Sequence, residues 1–191
     1  MPGRQAKTLA PFTLTRMLAR AARTPTPERD TVIILLSAKA GLRACEIARL
    51  DWSMVLNDKG RIGTHLTIED RIAKKRSGRR IPINDALRCA LSRLLKISDR
   101  NGPVVRSARG GRLRPNSIVN WYVALFKAIG VKGCSSHSGR RTFITNAARS
   151  INRVGGSLRD VQLLAGHRSI ETTQAYIDGC ESSQRKIVNL I

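Results

Sequence analysis

Aromatic residues are scarce in this sequence. They make up 4% of 191 residues, with 2 Trp, 2 Tyr and 3 Phe. A core dominated by aromatic rings is therefore excluded, and the hydrophobic fraction of 41% must come mostly from Leu, Ile, Val and Ala. A chain of this length and apolar content can still bury the core of one domain.

Acidic residues are also few, and this is the strongest signal in the composition. There are 13 Asp and Glu against 35 Lys and Arg, which gives a formal net charge of +22. Such an excess repels itself in a compact fold unless a polyanion screens it. Because the basic residues are spread along the whole chain, we expect a basic folded surface rather than a basic tail. Nucleic acid is the first candidate partner and an anionic membrane surface is the second.

Paired cysteines and long apolar runs are missing. The 4 Cys are far apart and form no C-x-x-C motif, which argues against a zinc site and against a secreted disulfide framework. The longest apolar run, Val32–Leu36, is too short to cross a bilayer, and residues 1–18 lack the apolar segment of a secretory signal. We therefore expect reduced thiols, no membrane partner, and a cytoplasmic location in association with the nucleoid.

Hydrophobic periodicity predicts a mainly α domain with a small antiparallel β-sheet, an α+β class. Alternation at 65–68 and 80–83 predicts two strands joined by a hairpin with a glycine turn. Asp30 and Ser169 are suitable caps for two of the helices, and Ser157 begins a capping-box pattern for a third. The predicted helices cover residues 13–22, 31–40, 44–50, 85–97, 116–129, 137–149 and 158–164, and a last one starts at 169 and carries Tyr176.

Two pairs of residues are placed where a phosphate could be held. Arg43 falls at a predicted helix N-terminus, which favours an anion, and Glu46 on the same face could fix its guanidinium. His137 and Arg140 are three positions apart, so on a helix they point the same way, which suits phosphoryl transfer. Taken alone, the first pair is more typical of an ordinary surface ion pair, and the second of a helix cap with a surface Arg.

The predicted hairpin turn is strongly basic. Its first base, Lys74, could reach a leaving oxygen and protonate it. The bases that follow are predicted to contact a DNA backbone, although a solvated charged turn is the usual meaning of such a run. These predicted contacts are Lys75, Arg76, Arg79 and Arg80.

The stretch 137–176 contains two of the three His and one of the two Tyr. His167 and Tyr176 are nine positions apart, so one unbroken helix would place them on opposite sides. A cap at Ser169 would break that helix and leave His167 in a turn, able to face the same site as Tyr176. A Tyr hydroxyl can be a covalent nucleophile, although a single Tyr or His is far more often a half-buried structural residue.

Four sequence fragments occur once each and in a fixed order. They read G-L-R-x-x-E-I, K-x-x-x-x-x-x-I-P, H-x-x-R and L-x-G-H-x-S-I-x-T-T-x-x-Y. Together they resemble the catalytic domain of the tyrosine recombinases, the phage integrase and Xer family, over residues 30–176. The last fragment is highly specific and the lysine fragment is the weakest.

The resemblance implies a role for each matched residue. The two arginines, Arg43 and Arg140, clamp the scissile phosphate. Lys74, with Lys75 as a rival, is the general acid for the 5′-hydroxyl leaving group. The remaining implied roles are assistance in proton transfer for His137 and His167, a 3′-phosphotyrosyl intermediate for Tyr176, and support for Glu46, with Arg141 and Arg168 among the DNA contacts.

The implied reaction is site-specific recombination of double-stranded DNA, with no metal, ATP or other cofactor. Family members act as tetramers on two DNA sites, and accessory DNA-binding factors can take part. The residues at 1–29 are expected to be a basic arm too short for the usual core-binding domain, 30–178 the catalytic domain, and 179–191 a tail that packs on a neighbouring subunit or on its own domain. One departure from the family pattern is Gly139, which is expected to loosen local packing.

Two other functions fit the same residues. A type IB topoisomerase-like enzyme uses similar chemistry to relax supercoils without a specific site. A non-enzymatic basic DNA-binding protein could keep the fold without the reaction. The box that ends in Tyr176 favours a recombinase over the topoisomerase, and the complete set of six residues argues against a pure binding protein.

Overall fold

A computed structural model describes residues 6–73, 77–176 and 188–189 of the chain. Within those ranges the chain is mostly helical with one two-stranded antiparallel sheet, so the expected α+β class is confirmed. No helix in the described ranges is both long and apolar enough to cross a membrane. The helices are α1 Pro11–Ala21, α2 Pro27–Ala40, α3 Ala44–Arg49, α4 Asp85–Lys96, α5 Pro115–Ala128, α6 Ser138–Ser150, α7 Leu158–Ala165 and α8 Ile170–Gln174, with short 3-10 turns at Trp52–Met54 and Ile151–Val154.

The described N-terminal residues belong to the domain. Helix α1 begins at a proline, which suits the first helical position, and it buries Met17 and Ala21 in the main core. The backbone N–H of Leu9 donates to Oγ1 of Thr142 at 2.6 Å. The segment predicted as a basic arm is thus packed on the main core as far as it is described.

Helix α2 is the central element. Its apolar residues 32–36 are buried on all sides, because α6 packs on one face and α4 on another. The helix begins at Pro27 instead of at the predicted cap Asp30, which lies in the first turn and accepts a hydrogen bond from Nε of Arg29 at 2.9 Å. It ends where predicted, at Gly41 with φ of 66°.

The two strands form the predicted hairpin. Strand β1, His65–Ile68, pairs antiparallel with β2, Arg79–Pro82, and Leu66 faces Ile81 across the ladder. Leu66 and Ile81 are buried against the core. At the base of the hairpin the N–H of Gly78 donates to Oδ1 of Asp70 at 2.7 Å.

The buried residues fall into two clusters. The main core joins α1 to α5 and the sheet. The second cluster lies between α6 and α7 and consists of Ile144, Ala148, Val161 and Ala165. Tyr176 packs against this small cluster and not against the main core.

Candidate active site

A cavity of about 1100 Å³ lies where the start of α3, the N-terminal half of α6 and the segment 167–176 meet. Five of its lining residues are basic, and none of those that the structure describes is acidic. The cavity is therefore suited to an anion. The charged and chemically active lining residues are Lys7, Arg43, Lys132, His137, Arg140, Arg141, His167 and Tyr176.

Arg43 directly precedes α3 and enters the cavity wall from the main core. Its Nη1 donates to Oε1 of Glu46 at 2.9 Å, and its backbone N–H donates to Oε2 of the same carboxylate at 2.9 Å. The Arg43 side chain keeps 19% of its surface exposed, whereas Glu46 is fully buried. The geometry therefore matches the predicted support of Arg43 by Glu46.

Glu46 has a second partner, Arg79, which the sequence analysis assigned to the DNA backbone. Both terminal nitrogens of Arg79 donate to the two carboxylate oxygens of Glu46 at 3.0 Å. Burial alone would raise the pKa of Glu46, but the hydrogen bonds and charges of Arg79 and Arg43 outweigh it and hold that pKa below its ordinary value. Arg79 was expected on the DNA backbone, yet its side chain is 4% exposed, because the strand turns it inward.

Arg140 is the most buried cation of the cavity. Its Nη1 donates to the carbonyl of Gly41 at 2.6 Å and its Nη2 to the carbonyl of Ala165 at 2.7 Å. Burial, followed by the nearby charge of Arg43, lowers the pKa of Arg140 to about 9. An anion in the cavity would offset both effects and raise the pKa of Arg140 again. The electrostatics of the site therefore favour binding of an anion.

The residue before Arg140 packs tightly. A Cβ built on Gly139 would lie 2.4 Å from Oγ and 2.9 Å from Cβ of Ser37 on α2. The expectation that Gly139 loosens local packing is thus wrong. The missing side chain lets α6 approach α2 closely, and this approach places Arg140 beside Gly41.

The two predicted histidines line the same cavity. His137 is exposed at the N-terminal end of α6, one turn from Arg140. His167 follows Gly166, which ends α7 with φ of 64°, and its Nδ1 lies 2.9 Å from Oγ1 of the buried Thr173. Burial, followed by the charges of Arg140, Arg43 and Arg79, lowers the pKa of His167 to about 4.

Tyr176 lies just beyond α8. The predicted break at Ser169 is confirmed, and the His167 and Tyr176 rings stack with centroids 5.7 Å apart. The guanidinium carbon of Arg141 lies 5.7 Å from the centroid of the Tyr176 ring. The prediction that α8 carries Tyr176 is wrong by two residues, because the helix ends at Gln174 and leaves the half-buried phenol in a turn.

Some predicted residues do not reach the cavity or are not described. Arg80 is exposed on β2 opposite Thr67, and Arg168 lies in the turn before α8. The general-acid candidates Lys74 and Lys75, the predicted contact Arg76 and the tail from Gly179 fall outside the described ranges, except for two tail residues, 188–189.

The sequence reading missed two lysines of the cavity. Lys7 is brought there because its backbone N–H donates to the carbonyl of Gly133 at 3.1 Å and the next residues are held by Thr142. Lys132 lies in the turn before α6. Neither belongs to a recognisable fragment, so only the net charge hinted at them.

Known proteins resemble this chain in sequence. Residues 7–182 match the Phage integrase family. The tyrosine recombinase XerC of Corynebacterium efficiens is 32% identical over 161 residues, which cover 82% of this chain and 48% of that protein. The chain thus spans about half the length of the curated relatives it matches.

Solved structures resemble it in fold. The XerA recombinase matches with a TM-score of 0.72 and 23% identity over the whole of this chain and 65% of that one. The Tn1549 transposon integrase in complex with a circular intermediate DNA matches with a TM-score of 0.75 and 19% identity, covering 100% of this chain and 67% of that one. The fold is therefore that of a tyrosine recombinase catalytic domain. With the family match over nearly its whole length, the chain belongs to the phage integrase family, and the predicted resemblance is confirmed.

Proposed function

We propose that this chain is the catalytic part of a site-specific DNA recombinase that cleaves and rejoins double-stranded DNA through a 3′-phosphotyrosyl intermediate. The observation that carries the proposal is the meeting of three guanidinium groups, two imidazoles and a half-buried phenol on one basic cavity. Pure DNA binding needs basic residues, but it does not need a phenol stacked on a histidine beside them.

The proposed step exchanges one phosphodiester for another. The Tyr176 oxygen loses its proton and forms a bond to phosphorus, while the bond from phosphorus to the 5′-oxygen breaks and that oxygen gains a proton. Rejoining reverses both changes. Because the phosphotyrosyl bond keeps the phosphodiester energy, the proposed reaction needs no ATP. The arginines take the charge-stabilising role that a metal ion has in other phosphoryl transfers.

The cations stabilise the charge that gathers on the non-bridging oxygens in the transition state. Arg43 and Arg140 are fixed by Glu46 and by two backbone carbonyls, so little reorganisation is needed when the phosphate enters. His167, held through Nδ1, donates from Nε2 to a phosphate oxygen once the anion has raised its lowered pKa. His137, at the N-terminal end of α6, assists proton transfer, and Lys74 or Lys75 supplies the proton to the 5′-oxygen.

The proposed partner is double-stranded DNA, whose phosphates would be bound by basic residues in and around the cavity. Lys7, Lys132, Arg141 and Arg168 are candidates for these contacts, together with Arg80 on β2. Affinity should therefore fall steeply as salt rises. A tetramer on two DNA sites, accessory factors and a cytoplasmic, nucleoid-associated location are parts of the same proposal.

The direct test is trapping of a covalent adduct. Wild-type protein is incubated in EDTA with nicked duplexes that lose a short 5′ fragment after cleavage, and the products are resolved on a denaturing gel. We expect an adduct with the wild type and none with Tyr176→Phe, although both bind the duplex with similar affinity.

The outcomes separate the rival functions. An adduct that persists in Tyr176→Phe contradicts the assignment of the nucleophile. Relaxation of supercoiled plasmids that share no sequence would favour a topoisomerase-like enzyme. Tight binding without an adduct on a broad set of sites would favour a DNA-binding protein.

A further inference from the structure

We propose that Arg79 is a positioning residue for DNA cleavage: it holds Glu46, and through it Arg43, and it fastens the end of α7 that leads into His167. This inference rests on the proposed function, because it concerns the same phosphate site. It differs from the expectation for Arg79 drawn from the basic hairpin, which was a contact with the DNA backbone.

The first support is the way Glu46 is shared. Its two oxygens accept hydrogen bonds from both terminal nitrogens of Arg79 at 3.0 Å. The same two oxygens accept hydrogen bonds from Nη1 and the backbone N–H of Arg43 at 2.9 Å. A two-pronged pairing fixes the plane of the carboxylate as well as its position. Arg79 therefore sets the orientation of the group that orients Arg43.

The second support is the end of α7. Nε of Arg79 donates to the carbonyl of Leu164 at 2.9 Å, and Nη2 of Arg140 donates to the next carbonyl, that of Ala165, at 2.7 Å. Carbonyls in the last turn of a helix lack helical partners and carry its partial negative charge, so cations are favoured there. Arg79 on β2 and Arg140 on α6 thus donate hydrogen bonds to two consecutive carbonyls at the end of α7.

The third support is the turn between α7 and His167. A Cβ built on Gly166 would lie 2.9 Å from Cδ and 3.1 Å from Nη1 of Arg79, so the Arg79 side chain packs directly against this turn. Gly166 also has φ of 64°, a conformation that other residues rarely adopt. Packing against Arg79 therefore helps to fix the position of this turn and of the His167 imidazole that follows it.

Burial separates Arg79 from its neighbour. The Arg79 side chain is 4% exposed and every nitrogen of its guanidinium has an acceptor within 3.0 Å. Arg80, one position on, points to the other face of the strand and is exposed. A phosphate would therefore meet Arg80 first, whereas Arg79 would have to abandon Glu46 to reach it.

Arg79 also affects the net charge of the group formed by Arg43, Glu46 and Arg79. Two arginines on one carboxylate leave a net charge of +1 near the phosphate. Without Arg79, Glu46 pairs with Arg43 alone and neutralises it. Replacing Glu46 by Gln in that background removes the carboxylate and returns the net charge to +1.

The test uses the full chain and three matched substitutions, Arg79→Met, Arg80→Met and Arg88→Met. Arg88 is the structural control, since it is half-buried and its Nη1 donates to the carbonyl of Gly63 at 2.9 Å, outside the cavity. For each variant the single-turnover cleavage rate is measured at saturating nicked duplex, and DNA affinity is measured across a range of salt.

We expect Arg79→Met to lower the saturated cleavage rate by about 10²-fold, because a 1 Å misplacement of a group at the reacting centre can cost that much, with a much smaller effect on DNA affinity. Arg80→Met should act mainly on binding, with weaker DNA affinity and a salt slope smaller by about 1. Arg88→Met should lower the melting temperature only. We expect adding Glu46→Gln to Arg79→Met to recover about tenfold in rate, because the two sites are coupled.

Arg79→Lys keeps the proposal testable if Arg79→Met does not fold, because it retains the charge and loses the two-pronged pairing. We expect Arg79→Lys to fold and to cleave at an intermediate rate. The proposal is overturned if Arg79 variants behave like Arg80→Met, if they match Arg88→Met, or if Glu46→Gln gives no recovery. An inactive wild type would instead contradict the proposed function.

Discussion

The two hydrophobic clusters of this protein support the two sides of the cavity unequally. The main core runs through five helices and the sheet and carries Arg43 and Glu46 at its edge. The small cluster has four buried residues between α6 and α7, and it is the one that supports Tyr176. Arg43 and its partner Glu46 are thus built on the larger core, whereas Tyr176 rests on the smaller one.

The two tyrosines show the same contrast. Tyr122 is 1% exposed in the main core, where its hydroxyl donates to the carbonyl of Ile33 at 3.0 Å. Burial raises the pKa of Tyr122 well above its ordinary value, which suits a structural phenol. Tyr176 is half-buried on the cavity wall. Burial alone therefore identifies which phenol can reach a substrate.

The largest effect is expected when the same side-chain volume is removed from each cluster. Ile144 in the small cluster and Ile118 in the main core are both fully buried. Each Ile→Ala change should cost about 2–5 kcal/mol of unfolding free energy, measured by urea denaturation. We expect Ile144→Ala also to lower the saturated cleavage rate of the folded protein by about tenfold, because a 1 Å shift of a reacting group can cost that much or more.

Ile118→Ala is the control, and it should leave saturated cleavage within about threefold of the wild type, since distant sites act independently. Rates are compared at a temperature where both variants remain folded. Equal losses of cleavage in the two variants would show that the small cluster has no special relation to Tyr176.

A second prediction concerns the contact that joins the two sides. In Gly139→Ala the new methyl group would lie 2.4 Å from Oγ of Ser37, so α6 must move away from α2. We expect a loss of about 1–3 kcal/mol in unfolding free energy, typical of overpacking, with weaker cleavage as Arg140 moves. Gly111→Ala, which meets no atom within 4 Å, is the matched control. A Gly139→Ala protein as stable as this control would contradict the close approach.

A third and smaller prediction follows from His167. Its folded-state pKa of about 4 lies below the ordinary value of 6.5, so the unfolded chain binds the extra proton more readily between these values. Stability from the neutral imidazole is present above pH 6.5 and is lost as the pH falls toward 4. His167→Gln should therefore flatten the dependence of melting temperature on pH in this window. Superimposable wild-type and variant curves would contradict the lowered pKa.

Sulfate tests the same group from the other direction. A bound anion should raise the pKa of His167, so sulfate should stabilise the wild type more as the pH falls from 7 to 5. The effect should be smaller in His167→Gln.

Local signals in the sequence were enough for most of the framework. Ser157 and Ser169 break the chain where caps are expected, and Gly41 ends α2 in the left-handed conformation. His137 and Arg140 share a face because helical spacing requires it. These features depend on residues a few positions apart, which periodicity and capping rules describe.

The features that the sequence alone did not show depend on contacts between distant segments. Arg79 reads as one more base of a charged turn until Glu46, 33 positions away, is seen to take it inward. The absence of a side chain at Gly139 suggested loose packing, but Ser37 of α2 occupies the space that a side chain would need. No glycine marks the end of α8, where Ala175 is the C-cap residue, and the Tyr176 ring that follows packs against the small cluster.

The most direct measurement of the central claim is the identity of the residue that carries the DNA. The adduct from the nicked duplex is digested with protease and nuclease, and the modified peptide is located by mass spectrometry in the wild type and in Tyr122→Phe. A nucleotide on Tyr176 in both proteins, with Tyr122→Phe losing only about 0.5–1.5 kcal/mol of stability, is the predicted result. A nucleotide on any other residue would show that Tyr176 is not the nucleophile.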